Sequence, residues 1–327
     1  MRKVIVDTDA GIDDALALML VAADPDVELL AVLSVFGAAS ASRTADNARY
    51  VLDMCGRTDV PVYRGCAAPL MQPLRLSAGI HGADGFGDSG LTPDSSVPRE
   101  PTASAMLLDL VNQHEGEIDY LAIGPQTNLA TAMQTEPRLL ERLRSATILG
   151  TLGPALLHDT EPWADRRFRV SRDGNVSRDF EAARRVADSI GAVTWCGPYV
   201  TRQALVPEEF FHEIAATGSA PAQLVARIST GYADFYTRSY PQADGRRVMG
   251  INDSIAAATL LRPDLVIASV HRPLATFEDA ERGERYLAGI HPTATETRPS
   301  HRIIVDVDFD GVVELIGETL RRPLPWR

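Results

Sequence analysis

Val4-Ile5-Val6-Asp7-Thr8-Asp9-Ala10-Gly11-Ile12-Asp13-Asp14 puts four carboxylates into the turn that leaves one apolar strand. Negative charges held that close repel each other, and burial raises the cost, so they stay ionised together only if a cation neutralises them. The turn reads as a metal site. One aspartate there can cap the following helix, but capping does not call for four.

Outward from this turn, strands and helices alternate. A strand over residues 3–7 feeds a helix over 13–23, where Ala15, Leu16, Leu18, Met19 and Ala22 form an apolar stripe. A strand over 29–35, a helix over 43–55 and a short strand over 60–63 repeat the unit. Residues 67–101 are rich in Gly, Pro and Ser and read as long loops, as does a second irregular stretch at about 153–172. Between and beyond them the pattern gives helices at 102–115, 127–135 and 179–190 and strands at 118–123, 146–149 and 192–196. A mostly helical segment at 208–240, a loop at 241–250 and a helix from Asp253 come next. Strands at 266–270 and 303–307 and a helix at 312–321 close the chain. The expectation is a single α/β domain over 1–327, with a mostly parallel, Rossmann-like central sheet flanked by helices. Ligands of such sheets bind beyond the carboxyl ends of the strands.

Composition narrows the function. With 327 residues, 45% of them apolar, the chain can bury one large core or two smaller ones. A net charge of -12 argues against nucleic acid or an anionic membrane as partner and favours a small neutral or cationic substrate. The chain runs almost at once into a strand, without a signal-peptide pattern or a bilayer-length apolar run, so a cytoplasmic location is expected. Cys55, Cys66 and Cys196 are odd in number and far apart, which indicates neither a disulfide framework nor a cysteine zinc site. Lys3 is the only lysine, which removes lysine from catalytic roles downstream.

Two further polar signals sit where a ligand site is expected. Gly124-Pro125-Gln126-Thr127-Asn128 follows the 118–123 strand, and Asn252-Asp253 opens a helix after a loop. Both could supply oxygens to a hard divalent cation, although Asn252-Asp253 alone also reads as a helix N-cap.

The residues 7–15, Asp-Thr-Asp-Ala-Gly-Ile-Asp-Asp-Ala, resemble the amino-terminal signature of the calcium-dependent nucleoside hydrolases. Further blocks follow in the family's order: Asn47 and Arg57-Thr58-Asp59-Val60-Pro61-Val62-Tyr63, then His81-Gly82-Ala83-Asp84-Gly85-Phe86-Gly87, then 121–129, then 175–183. The resemblance implies that fold and hydrolysis of the N-glycosidic bond of a ribonucleoside or related N-riboside. It implies Ca2+ held by Asp9, Asp14, Asp253 and the backbone carbonyl of Thr127, with Asp9 as base for the activated water. Asp13 and Asn175 would then bind ribose hydroxyls, Asp173 would face the 5' end of the sugar, and the protein would be a homodimer or homotetramer. Clustered carboxylates suit this reaction, because breaking the bond builds positive charge at C1'.

Departures from the family pattern fall on sugar and base recognition. Gly37-Ala38 stands where many members have Gly-Asn, Asp173 replaces a Glu, and Asn252 replaces a histidine that acts as leaving-group acid in purine-cleaving members. Asparagine cannot donate a proton at neutral pH. Other candidates to assist the leaving group are His81, in a Gly-rich loop, and Tyr236 and Tyr240, four apart on a helix and able to face the base together. Arg238 is a further candidate. His158, His212 and Glu208-Glu209 read as solvated surface, and His114 as a helix-end residue. An unusual nucleoside, or one whose leaving group needs little protonation, fits these departures better than inosine.

Two other readings compete. Asp7-Thr8-Asp9 partly matches the nucleophile motif of haloacid dehalogenase-type phosphatases, which use Mg2+ and usually a later lysine that this chain lacks. A non-catalytic nucleoside or sugar binder derived from the hydrolase is the other.

Overall fold

The structure, a computed structural model, describes residues 1–94, 96–151, 173–242, 244–279, 284–293 and 295–326. Its strands are β1 (Arg2–Thr8), β2 (Val27–Ser34), β3 (Val62–Tyr63), β4 (Ile118–Ala122), β5 (Ser145–Leu149), β6 (Val193–Cys196), β7 (Leu205–Pro207), β8 (Val248–Gly250), β9 (Val266–Asp279), β10 (Glu284–Gly289) and β11 (Ser300–Val307). Nine of them form one sheet in the order β10-β9-β11-β6-β5-β4-β1-β2-β3. From β3 through β11 the neighbours run parallel, while β9 is antiparallel to both β11 and β10. The expected single-domain, mostly parallel α/β architecture is what the chain adopts.

The order of the sheet places the site. β1 has β2 on one side and β4 on the other, so chain direction across the sheet reverses there. The two crossovers leave in opposite directions and open a crevice at the carboxyl end of β1. Residues 4–6 are fully buried, as suits a central parallel strand covered on both faces, and Asp9 follows directly at that end.

Every residue of the helix Ile12–Ala23 is buried. Its alanines and leucines leave no polar face, so it serves as a core helix and not as a surface one. It packs against Asn252–Leu261, which is likewise buried from Asp253 onward. The core pairing fixes two helix starts side by side, and both starts carry aspartate.

Several elements differ from the sequence expectation. Residues 248–250 form β8, paired antiparallel with β7, where a loop was expected. Strand β9 is far longer than 266–270, and β10 is an added edge strand. Both lie at the sheet margin, where short or polar-interrupted strands leave a weak alternation signal. The loop region 67–101 contains a one-turn helix, Ala78–His81, that carries the candidate histidine. Glu208 is buried against Arg247 (Nε to Oε2 2.5 Å) instead of lying on a solvated face. The 153–172 stretch, with His158, lies outside the described residues.

Candidate active site

The turn after β1 is locked by short-range hydrogen bonds. Thr8 Oγ1 accepts from the Ala10 N–H at 2.9 Å and donates to Asp14 Oδ1 at 2.5 Å, and Asp14 Oδ2 accepts from the Gly11 N–H at 3.0 Å. Asp14 thereby caps its own helix from the first turn and is held against Thr8. Asp9 is held from another strand end: its Oδ2 accepts from the Ala38 N–H at 2.6 Å, in the loop after β2. Gly37 allows this approach, because a Cβ there would stand 1.9 Å from Asp9 Oδ2. Gly37→Ala is therefore expected to displace the Asp9 carboxylate and lower kcat about 10²-fold. Steady-state kinetics check this, and an unchanged kcat would mean that the contact does not set the position of Asp9.

Asp7 departs from the quartet read in the sequence. It lies within β1 and faces the interior, accepting from the Tyr120 hydroxyl and from Asn128 Nδ2 at 3.0 Å. Burial pushes its carboxyl up to about 7 in spite of those bonds. Its role is to tie β1 to β4 and to the helix that follows β4.

The remaining acids converge. Asp9, Asp13, Asp14 and Asp253 line one cavity, whose open volume of about 640 Å³ includes its solvent mouth and suits a nucleoside-sized ligand. Carboxylate oxygens of Asp13, Asp14 and Asp253, all buried, lie within 4.8 Å of one another. Oxygens shared by one Ca2+ at about 2.3–2.6 Å cannot stand more than about 5 Å apart, so this spacing fits. Burial, then repulsion from the other aspartates, pushes Asp14 and Asp253 well above the usual carboxylate range. Burial also raises Asp9, opposed chiefly by the nearby Arg178 guanidinium. A set of hard oxygens at this cost suits a hard divalent cation.

One wall of the cavity is aromatic. His81, Tyr232 and Tyr236 stand in sequence, with ring centroids 5.4 Å and 4.7 Å apart. His81 Nδ1 accepts from the Ile12 N–H at 3.2 Å, which puts the proton of the neutral ring on Nε2. Burial lowers its tendency to protonate further, against the pull of Asp13 and Asp9. Asn252 Nδ2 donates to Tyr236 Oη at 2.6 Å and to Asp13 Oδ2 at 3.1 Å. The helix N-cap is Ile251, so the side chain of Asn252 is a bridge between the acid cluster and the tyrosines and not a cap.

Asp173, Gly174, Asn175 and Arg178 line the same cavity. Asp173 caps their short helix by accepting from the Val176 N–H at 2.7 Å, and burial pushes its carboxyl up to about 6. Asn175 Nδ2 donates to the Ile123 carbonyl at 2.6 Å, which ties this segment to the end of β4.

Most of the site residues expected from sequence share this cavity: Asp9, Asp13, Asp14, His81, Asp173, Asn175, Tyr236, Asn252 and Asp253. Thr127 does not line it; its hydroxyl donates to Asp179 at 2.7 Å, and Ile123 is the member of that block at the cavity. Tyr240 stacks behind Tyr236 at 5.8 Å, and its hydroxyl accepts from Arg202 at 2.8 Å. Arg238 is exposed and does not line the cavity. Sequence reasoning missed Tyr232, Arg178 and Arg202. Tyr232 was within reach, since 232, 236 and 240 share one helix face. Lys3, the single lysine, is paired with Glu117 at the opposite end of β1, so it has no part in a phosphatase-type site.

The family model described as inosine-uridine preferring nucleoside hydrolase matches residues 4–314. An inosine-uridine preferring nucleoside hydrolase of Leishmania major is 32% identical over 329 residues, covering 98% of each chain. Uridine nucleosidase 1 of Arabidopsis thaliana is 30% identical, covering 98% of this chain and 94% of its own. Among solved structures, a plant nucleoside hydrolase superposes with a TM-score of 0.85 at 26% identity, over 98% of this chain and 99% of the other.

Proposed function

Because the chain belongs to the inosine-uridine preferring nucleoside hydrolase family and is an N-glycosidase that cleaves ribonucleosides to base and ribose, we propose that its buried aspartates work with Ca2+ and that Asp9 is the base. The observation that carries this reading is the convergence of Asp9, Asp13, Asp14 and Asp253 in one cavity at the carboxyl end of β1. Asp13, Asp14 and Asp253 would hold the ion, with the Ile123 carbonyl replacing Thr127 as the neighbouring main-chain oxygen and Asp9 sharing the same field. Bound there, the ion would supply Lewis acidity and an anchor for vicinal sugar hydroxyls.

The protein's own groups account for the rest. Asp9 takes the proton of the attacking water, and the surrounding carboxylates stabilise positive charge as it grows at C1'. Asn175 and Asp173 orient the sugar. Tyr232 and Tyr236 flank the base, and the Nε2–H of His81 and the Tyr236 hydroxyl are the donors available to the departing nitrogen. A homodimer or homotetramer completes the reading, carried by the family resemblance. Among the described residues no helix is long and apolar enough to cross a membrane.

A panel of purine and pyrimidine nucleosides, assayed for reducing sugar with and without a chelator, tests the proposal. Affinity without sugar release would make the protein a binder. Asn252→His would place an ionisable donor beside Tyr236 and is expected to raise kcat/KM for purine nucleosides about tenfold or more. An unchanged purine rate would mean that protonation at this position is not limiting.

A further inference from the structure

A guanidinium group in the cavity has a capacity that its effect on Asp9 leaves unused. Arg178 lines the cavity, and among the described residues no carboxylate lies within ion-pairing distance of it. Its one hydrogen bond there is long, from Nη1 to Asn175 Oδ1 at 3.4 Å. The Asn175 amide is turned to receive it, since its Nδ2 is committed to the Ile123 carbonyl. Gly174 makes room: a Cβ at that position would stand 2.7 Å from Arg178 Nη1. The guanidinium therefore folds back over its own helix start toward the cavity, and among the described residues most of its five donors are unspent.

We propose that Arg178 binds an anionic group on the sugar, and that the preferred substrates of the same N-glycosidic cleavage are nucleoside 5'-monophosphates. The inference rests on the nucleoside hydrolase reading. With the base against Tyr232 and Tyr236, C1' near Asp9 and the vicinal hydroxyls at the acid cluster, the remaining arm of the sugar would be left to the other polar lining residues, Asp173, Asn175 and Arg178. A planar guanidinium takes phosphate in a two-pronged contact, which a neutral hydroxymethyl group cannot return. Asp173 is turned away from an incoming anion in part, since its Oδ1 accepts from the Val176 N–H. Arg202, on the same cavity, adds positive potential to that side. In the reaction the C1'–N bond breaks, water oxygen bonds to C1', one water proton ends on the base, and ribose 5-phosphate leaves with the P–O bond intact.

The test compares ribose 5-phosphate with ribose by titration calorimetry in the Ca2+-loaded protein and in its Arg178→Ala and Arg178→Lys variants. The phosphorylated sugar is expected to bind at least tenfold more tightly. That ratio should collapse in Arg178→Ala and recover in part in Arg178→Lys. Equal affinities, or a ratio that Arg178→Ala leaves unmoved, overturn the inference. A carboxylated free base that binds tightly while ribose 5-phosphate does not would move the anion to the base and overturn it as well. A parallel assay of uridine and inosine against their 5'-monophosphates separates the two readings. Nucleosides cleaved in preference to nucleotides sink only the phosphate assignment, whereas no cleavage of either, with neither sugar bound, sinks both.

Discussion

Asp9→Asn is expected to lower kcat about 10³-fold while leaving the fold intact. A general base contributes about 10² to 10⁴ in rate, and the amide cannot accept the proton of the attacking water. The change is otherwise gentle. The amide oxygen can still accept from the Ala38 N–H, and the side chain keeps its shape beside Gly37. A costly buried charge disappears, so thermal unfolding should occur at the same or a higher temperature. Single-turnover kinetics beside a melting curve make the comparison. A variant with a near-normal rate would remove Asp9 as base and pass the role to another cavity group.

Removing the ion is the second large perturbation. Chelation is expected to abolish turnover and to lower the melting temperature by several degrees, both reversed by added Ca2+. A ligand at about a hundred times its dissociation constant stabilises the folded state by about 2.7 kcal/mol. Without it, the carboxylates of Asp13, Asp14 and Asp253 crowd one another, and for Asp14 and Asp253 burial is the main cost of ionisation. Asp253→Asn separates ligation from structure, because it removes a ligand charge and relieves that repulsion together. The variant should melt above the ion-free parent, yet lose the Ca2+-dependent shift. Scanning calorimetry with and without EGTA reads both. A parent whose melting is indifferent to chelator, with full activity retained, would rule out the metal centre.

Much of this was readable before the fold. Three hydrophobic residues followed by acids at a strand end are a local pattern, and parallel sheets put strand ends at ligand sites, so Asp9 and Asp14 were placed without tertiary information. The helix partner was harder. Asn252 looks like a cap in sequence, because capping preference is a local property, and only the packing of Asn252–Leu261 on Ile12–Ala23 turns its amide toward Asp13 and Tyr236. Asp7 follows the same rule: it lies inside β1 and bonds to Tyr120 and Asn128, whereas Asp9 lies beyond the strand end and lines the cavity. A main-chain oxygen such as that of Thr127 or Ile123 is selected by backbone path, which residue identity does not encode. Arg178 carried no signal at all, since its meaning depends on Gly174 and on the orientation of Asn175.

The side-by-side starts of Ile12–Ala23 and Asn252–Leu261 also join chain positions about 240 residues apart, as their Asn252 to Asp13 contact shows. An ion clamped between them would act as a reversible staple across the molecule, shortening the loops open to the unfolded chain much as a covalent cross-link does. Protease resistance should then track free calcium along the whole polypeptide, far beyond the few loops that surround the catalytic pocket.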